Sequence, residues 1–262
     1  GTTYSTTYTV TSSEHGPVTF TIDASDNAGN TSQRTTTTNS SSMTVDNIDP
    51  SFDQVYFYSP NANSSYAKAN DLINITYSLT EDISSHTGNM YIGGSQVTPS
   101  FIGPYSGLYL AEYRIQSGDT GAVTFSLTVT DNAGNVSLAA TETTNSSSIT
   151  VDTTDPSLSF VDISSNNVNT SFAKEGDVIT LNFTTSESVL TPNVAFTLGG
   201  SAVSHSGITS SGNDYATTYT VPSSVDGAFA FTIDISDNPG NTIQRTTTTT
   251  GNTMTVDTTN PT

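Results

Sequence analysis

The chain contains no cysteine and no tryptophan, and it sets only five lysines and arginines against 24 aspartates and glutamates. Without thiols there is no disulfide framework, no thiolate metal site and no cysteine nucleophile. A formal net charge of −19 repels phosphate backbones and argues against nucleic acid as a partner. Long apolar runs are also missing: no stretch approaches the ~18 residues that would cross a bilayer as a helix. The first residues show no basic or apolar region of a signal peptide, which says little because the chain opens in the middle of a repeating pattern.

What fills the chain instead is hydroxyl. Threonine contributes 50 of the 262 residues and serine 39. Such polarity often marks disorder, but Val, Ile, Phe and Tyr recur here in alternating runs, and Thr suits a pleated, half-solvated surface. A folded, β-rich chain is expected, with solvent faces built from Thr and Ser.

Internal repetition sets the architecture. Asp26-Asn27-Ala28-Gly29-Asn30 returns as Asp131-Asn132-Ala133-Gly134-Asn135 and again as Asp237-Asn238-Pro239-Gly240-Asn241. Thr44-Val45-Asp46 with Asp49-Pro50 returns as Thr150-Val151-Asp152 with Asp155-Pro156, then as Thr255-Val256-Asp257 with Asn260-Pro261. Spacings are 105 or 106 residues. Cutting after the proline gives two whole units, 51–156 and 157–262, preceded by residues 1–50 as the C-terminal half of a third. The half unit carries the last three strands of a sandwich. It is expected either to be an excerpt of a longer chain or to be completed by another subunit.

Within a unit the pattern reads as strands: Val178 to Phe183, Phe196 to Leu198, Tyr215 to Val221, Ala228 to Ile235 and Met254 to Val256. Gly199-Gly200 and Gly93-Gly94 mark hairpin turns. No stretch repeats at helical spacing with caps. About seven short strands in roughly 106 residues predict an all-β fold of tandem immunoglobulin-like sandwiches. With no Cys and no Trp, their cores must be held by Phe, Tyr, Ile, Val and Leu.

In such a sandwich the B–C and F–G loops lie at the end where the chain enters. Glu187 follows strand B, Asp237 and Asn241 lie in the F–G loop, and Asp152 and Asp155 arrive in the linker. Asp71, at the start of strand B of the preceding unit, lies at that unit's exit end, so it joins this junction. The same construction one unit earlier gathers Asp46, Asp49, Glu81, Asp82, Asp131 and Asn135. At the C-terminal end Asp177, Glu175, Asp257 and Asn260 would await a further domain. Converging carboxylates repel unless a cation sits among them or some are protonated. Six to eight hard oxygen ligands suit Ca²⁺, and no thiolate and almost no imidazole is present for a softer metal. The competing account is a turn: Asp-Asn-x-Gly-Asn supplies Gly for positive φ and Asn for local hydrogen bonds. Recurrence of acids in linker, B–C loop and F–G loop together favours calcium. An EF-hand is not expected, because the Gly after Asp23-Ala24-Ser25-Asp26 is one place late and Arg34 stands where the last ligand belongs.

The segments VDTTDPS, FAKEGDVITLNFTTSE and FTIDISDNPGN resemble the tandem bacterial Ig-like repeats of giant surface proteins, including the extender regions of calcium-dependent adhesins. The resemblance covers essentially the whole chain. It implies β-sandwiches strung end to end with calcium at their junctions. Linker roles would fall on Asp46, Asp49, Asp152, Asp155 and Asp257, F–G roles on Asp131, Asn135, Asp237 and Asn241, and B–C roles on Glu81 and Glu187. Asn260 departs from the pattern and would weaken a third site.

Catalysis is not expected. His15, His86 and His205 are scattered and read as lone surface residues, with no Gly-x-Ser-x-Gly or His-x-x-x-His motif. A glycosidase carboxylate pair fits poorly with acids that recur once per repeat. Lys68 and Lys174 read as solvated loop residues, with an intramolecular isopeptide bond as the alternative. The Asn-x-Ser/Thr sequons are no more frequent than so much Ser and Thr yields by chance. The expected role is an extracellular, cell-surface spacer in cell adhesion or biofilm formation, stiffened by Ca²⁺. Its partners would be neighbouring repeats or like subunits, with no nucleic acid and no membrane insertion. An S-layer or self-assembling filament subunit is one alternative. A carbohydrate- or protein-binding module using Tyr56, Phe57, Tyr58, Tyr105 and Tyr109 is another.

Overall fold

The computed structural model describes residues 1–261 and, among them, 23 short strands and no helix. The chain divides into two compact units. The first takes Gly1–Tyr58, Asn74–Tyr113 and Thr124–Ser148; the second takes Ser59–Ile73, Arg114–Val123 and Ile149 onward.

In the second unit, period-two alternation becomes a sandwich. The strand Val178–Thr185 buries every other residue, sending Ile179, Leu181 and Phe183 inward. It lies in a four-stranded antiparallel sheet in the order Leu158–Ser165, Val178–Thr185, Asp214–Thr220, Thr209–Ser211. The facing sheet runs Phe172–Ala173, Met254–Val256, Gly227–Ser236, Asn193–Leu198, Ser201–Val203. Its first pair is parallel and its others are antiparallel. Two sheets of this order, closed over one core, are the immunoglobulin-like arrangement. Val161, Ile179, Leu181, Phe183, Phe196, Phe231, Ile233 and Val256 share that core. Phe183 stacks on Tyr215 at 5.2 Å, and Phe196 tilts against Phe229 at 5.0 Å. Full burial of each large apolar side chain stabilises by about 1.5–3 kcal/mol, and here such burial replaces the missing disulfide. Leu198 pairs with Ser201 across Gly199-Gly200, whose φ values of 55° and 84° are the two positive angles a type I′ hairpin needs.

The sequence reading missed one strand. Thr242–Arg245 pairs with the end of Gly227–Ser236, whereas Met254–Val256 pairs with its beginning. The chain between them leaves that sheet and crosses to the rim of the other. There Thr249 Oγ1 accepts from Val161 N at 2.9 Å, and Thr249 N and Oγ1 both donate to the Val161 carbonyl, at 2.8 and 3.1 Å. Leu158–Ser165 is an edge strand, so a threonine supplies the hydrogen bonds that a missing neighbour would have made.

The first unit repeats this device. Phe52–Tyr58 pairs with residues 74–79 at the edge of its sheet. Val55 N donates to Thr144 Oγ1 at 3.0 Å, and Phe57 N donates to Ser147 Oγ at 2.8 Å. Its core gathers Val55, Ile75, Tyr77, Met90, Tyr109, Phe125 and Leu127. Phe57 meets Phe125 edge to face at 5.5 Å. Tyr109 is therefore a core residue, whereas Tyr58 and Tyr105 are exposed. His86 departs from its expected surface role. Its Nδ1 lies 2.9 Å from Tyr77 Oη, and its ring stacks on Phe101 at 4.6 Å. In residues 1–50, Gly16–Pro17 pairs with Thr44–Val45 and Ile22–Ser25 with Thr31–Arg34. Phe20 and Ile22 stay exposed.

Candidate metal centre

The site begins with a five-residue loop. In Asp237–Asn241, Gly240 adopts φ 86°, a left-handed conformation that suits glycine. The loop then closes on its first side chain. Asn241 N donates to Asp237 Oδ1 at 2.7 Å, and Asn241 Nδ2 donates to Asp237 Oδ2 at 2.8 Å. In the equivalent loop Asp131 Oδ1 accepts from Ala133 N, Gly134 N and Asn135 N at 2.7 to 2.9 Å, and Oδ2 from Asn135 Nδ2 at 2.7 Å. Pro239 replaces Ala133 in the second loop and has no N–H to give. Asp131 and Asp237 are 2% and 1% exposed. Burial alone raises the Asp131 pKa, but the bonds from Asn135, Gly134 and Ala133 outweigh it and hold the carboxyl below its ordinary range.

The linker comes next. Asn241 Nδ2 also donates to the Asp152 carbonyl, and Asn135 Nδ2 to the Asp46 carbonyl. Each linker aspartate ties its Oδ1 into a local turn, Asp152 to Thr154 N at 2.9 Å and Asp46 to Ile48 N at 3.1 Å. Glu187 and Glu81 follow the strands Val178–Thr185 and Leu72–Leu79. The result is two matching carboxylate groups. Asp46, Glu81 and Asp131 form one, and Asp152, Glu187 and Asp237 form the other. In each group the potential ligand oxygens lie within 4.8 Å of one another. Burial and the like charges of Asp46 and Asp131 raise the Glu81 pKa. Burial, Asp152 and Asp237 do the same to Glu187.

Other expected ligands stand outside these two groups. Asp49, Asp82, Asp155 and Asp257 are exposed, and Asp257 Oδ1 accepts from Thr259 N at 2.9 Å. Asn135 and Asn241 brace loop to linker through their amide nitrogens. Asp71 Oδ2 takes Lys68 N at 2.9 Å and Asn61 Nδ2 at 3.1 Å. Asp177 Oδ2 takes Lys174 N at 2.8 Å and Asn167 Nδ2 at 2.7 Å. Sequence reasoning missed Asn61 and Asn167, although each stands ten residues before its aspartate. It also read Lys68 as solvated, whereas Lys68 Nζ donates to the Gly240 carbonyl at 2.7 Å.

The donor set fits a hard divalent cation. Each group offers carboxylate oxygens from three separate places in the chain and neither nitrogen nor sulfur, the chemistry of calcium ligation. Loop amides and the Asn side chain fix the loop carboxylate in advance, and a linker amide holds one oxygen of the linker aspartate.

A family model described as bacterial Ig-like domain matches residues 185–250. No curated protein matches the chain. Among solved structures, an I-band fragment of titin is similar at 10% identity and TM-score 0.49, covering 80% of this chain and 66% of the fragment. The N-terminal Ig1-2 module of a Drosophila receptor protein tyrosine phosphatase, DLAR, gives 9% and 0.27, covering 81% of this chain and 100% of the module. The N-terminal eight Ig domains of Down Syndrome Cell Adhesion Molecule give 17% and 0.36, covering 94% of this chain and 28% of that one. The matched residues lie within the second unit, whose two sheets have the Ig-like arrangement described above.

Proposed function

We propose that this chain is a calcium-stiffened spacer segment of an extracellular surface protein that serves cell adhesion or biofilm formation. One observation supports the reading most: the same three-carboxylate group recurs at equivalent positions, each time built from a linker aspartate, a post-strand glutamate and an F–G loop aspartate. Asp152, Glu187 and Asp237 would hold one ion, and Asp46, Glu81 and Asp131 the other. Bound calcium supplies positive charge that cancels the mutual repulsion of these acids. The chain's own residues do the rest. Asn241 and Asn135 pin linker backbone to loop, and the loop amides hold Asp131 and Asp237 in place. With the charge cancelled, the linker is clamped to the sandwich that follows it. Without it, repulsion loosens the same segment. Nothing in this account requires a reaction.

Calorimetry and X-ray scattering of the full chain in EDTA and in millimolar calcium test the reading. A higher melting temperature and reduced flexibility in calcium are expected. Identical profiles in both solutions would remove the proposal.

A further inference from the structure

We infer that Asn167, Lys174 and Asp177 form a docking face for the Asp-Asn-x-Gly-Asn loop of another repeat of this kind, gripped through its backbone carbonyls. The inference rests on the reading that such repeats stand in tandem, and adds which side chains join them. The template lies within the second unit. Asp71 Oδ2 organises a loop by accepting from Lys68 N and Asn61 Nδ2. From that loop Asn61 Nδ2 reaches the Pro239 carbonyl at 2.8 Å, and Lys68 Nζ reaches the Gly240 carbonyl at 2.7 Å. A Cβ on Gly240 would stand 3.5 Å from Lys68 Nζ, so the ammonium sits directly over the glycine.

Asn167, Lys174 and Asp177 carry the same geometry 106 residues later. Asp177 accepts from Lys174 N and Asn167 Nδ2 just as Asp71 does from their counterparts. The Lys174 ammonium, however, has no carbonyl acceptor among the described residues. Burial follows the difference. Lys68 and Tyr66 are half-buried, whereas Lys174 and Phe172 are exposed, Phe172 at 48%. Val168 beside them is fully exposed. The preorganised Asn-Asp-Lys set is therefore present twice, with its occupant once. The occupant must offer two successive outward carbonyls before an Asn, which the Pro239-Gly240 segment does. A carbonyl accepts whatever side chain precedes it, so the grip tolerates Ala or Pro at the third loop position, as Ala28, Ala133 and Pro239 require.

Lys68 and Lys174 are the only lysines in the chain, so amine labelling read by mass spectrometry is decisive. In the full chain, Lys68 is expected to label at least tenfold more slowly than Lys174. Equal rates would overturn the template. In a chain extended by repeating residues 158–262 after Thr262, the added copy carrying K174R, Lys174 of the original should slow to the Lys68 rate. A Lys174 that stays fast beside an added copy that resists proteolysis would overturn the inference. So would a Lys174 that slows equally when Asp177→Ala has dismantled its loop. Labelling in EDTA separates this from the calcium reading. Slow Lys174 under chelator, with no calcium effect on melting, leaves the grip standing and removes the ion. Fast Lys174 with calcium-dependent melting does the reverse.

Discussion

Asn241 Nδ2 lies 3.0 Å from the carbonyl oxygen of Asp152, a residue 89 positions earlier in the chain. Asn135 and Asp46 repeat the relationship at 3.1 Å with the same 89-residue separation. Each asparagine bridges a loop carboxylate and the linker backbone, so it sets the spacing between acids before any cation arrives. Asn241→Ala should lose both bonds and destabilise the fold by about 1–3 kcal/mol. It should also weaken calcium binding by loosening Asp152. Thermal melts in EDTA give the first effect, and calcium titration followed by calorimetry gives the second.

Glu187→Gln separates charge from packing. Glu187 is held against Asp152 and Asp237, and this repulsion helps raise its pKa. Neutralising it should leave calcium-free stability unchanged or improve it by at most about 1 kcal/mol, the scale of a solvent-screened pair. The calcium-induced rise in melting temperature should shrink because one of the two proposed sites is impaired. A variant that melts lower in EDTA and keeps the full calcium response would contradict the repulsive arrangement.

The pH response follows from the directions of the shifts. Glu81 and Glu187 are raised in the folded state. Without calcium their contribution to stability is present below the ordinary glutamate pKa and is lost as pH rises through their raised values. Asp26, Asp131, Asp177 and Asp226 are lowered, each by hydrogen bonds. They contribute stability above the ordinary aspartate pKa and lose it as pH falls through their depressed values. On the proposed calcium reading, protons and the ion compete for the same glutamates. The difference in melting temperature between calcium and EDTA should therefore narrow as pH falls into the range just above the ordinary glutamate pKa.

His86 supplies a separate acid response. Burial lowers its pKa, so the folded state favours the neutral ring beside Tyr77. That stability is complete above the ordinary histidine pKa of about 6.5 and is lost as pH falls through the lowered value. His86→Phe should keep the stacking on Phe101 and remove this component. Chemical denaturation of both proteins between pH 7 and 5 would show whether the slopes differ.

Much of this was legible in the residues, and the rest was hidden for identifiable reasons. Alternation announced the strand from Val178 to Phe183, two residues short of its end at Thr185, and paired glycines announced the turn at Gly199-Gly200, because both are local in sequence. The acids of both carboxylate groups could be named because each recurs with the repeat. Thr242–Arg245 was obscured by the run of threonines after it, where composition carries no period. The roles of Thr144 and Thr249 could not be read, since nothing distinguishes them from their neighbours until an edge strand lies alongside. Lys68 looked solvated because its acceptor is a backbone carbonyl 172 residues away, and carbonyls leave no trace in a sequence.

Thr249→Val tests the edge device directly. Losing Oγ1 leaves Val161 N without its acceptor, a cost of about 1–3 kcal/mol. The bared rim should also raise concentration-dependent light scattering. Thr249→Ser, which keeps the hydroxyl, should restore both.

Thr144 and Thr249 also bear on how such a fold would respond to crowding at high salt. Proteins commonly guard a sheet rim with lysines that repel an approaching copy, a defence that fades as dissolved salt shortens the reach of charge. A hydroxyl that has already satisfied the rim's amide and carbonyl is indifferent to ionic strength. Copies of this chain brought close together at high salt would therefore resist fusing into common sheets, with scarcely a basic residue spent on keeping them apart.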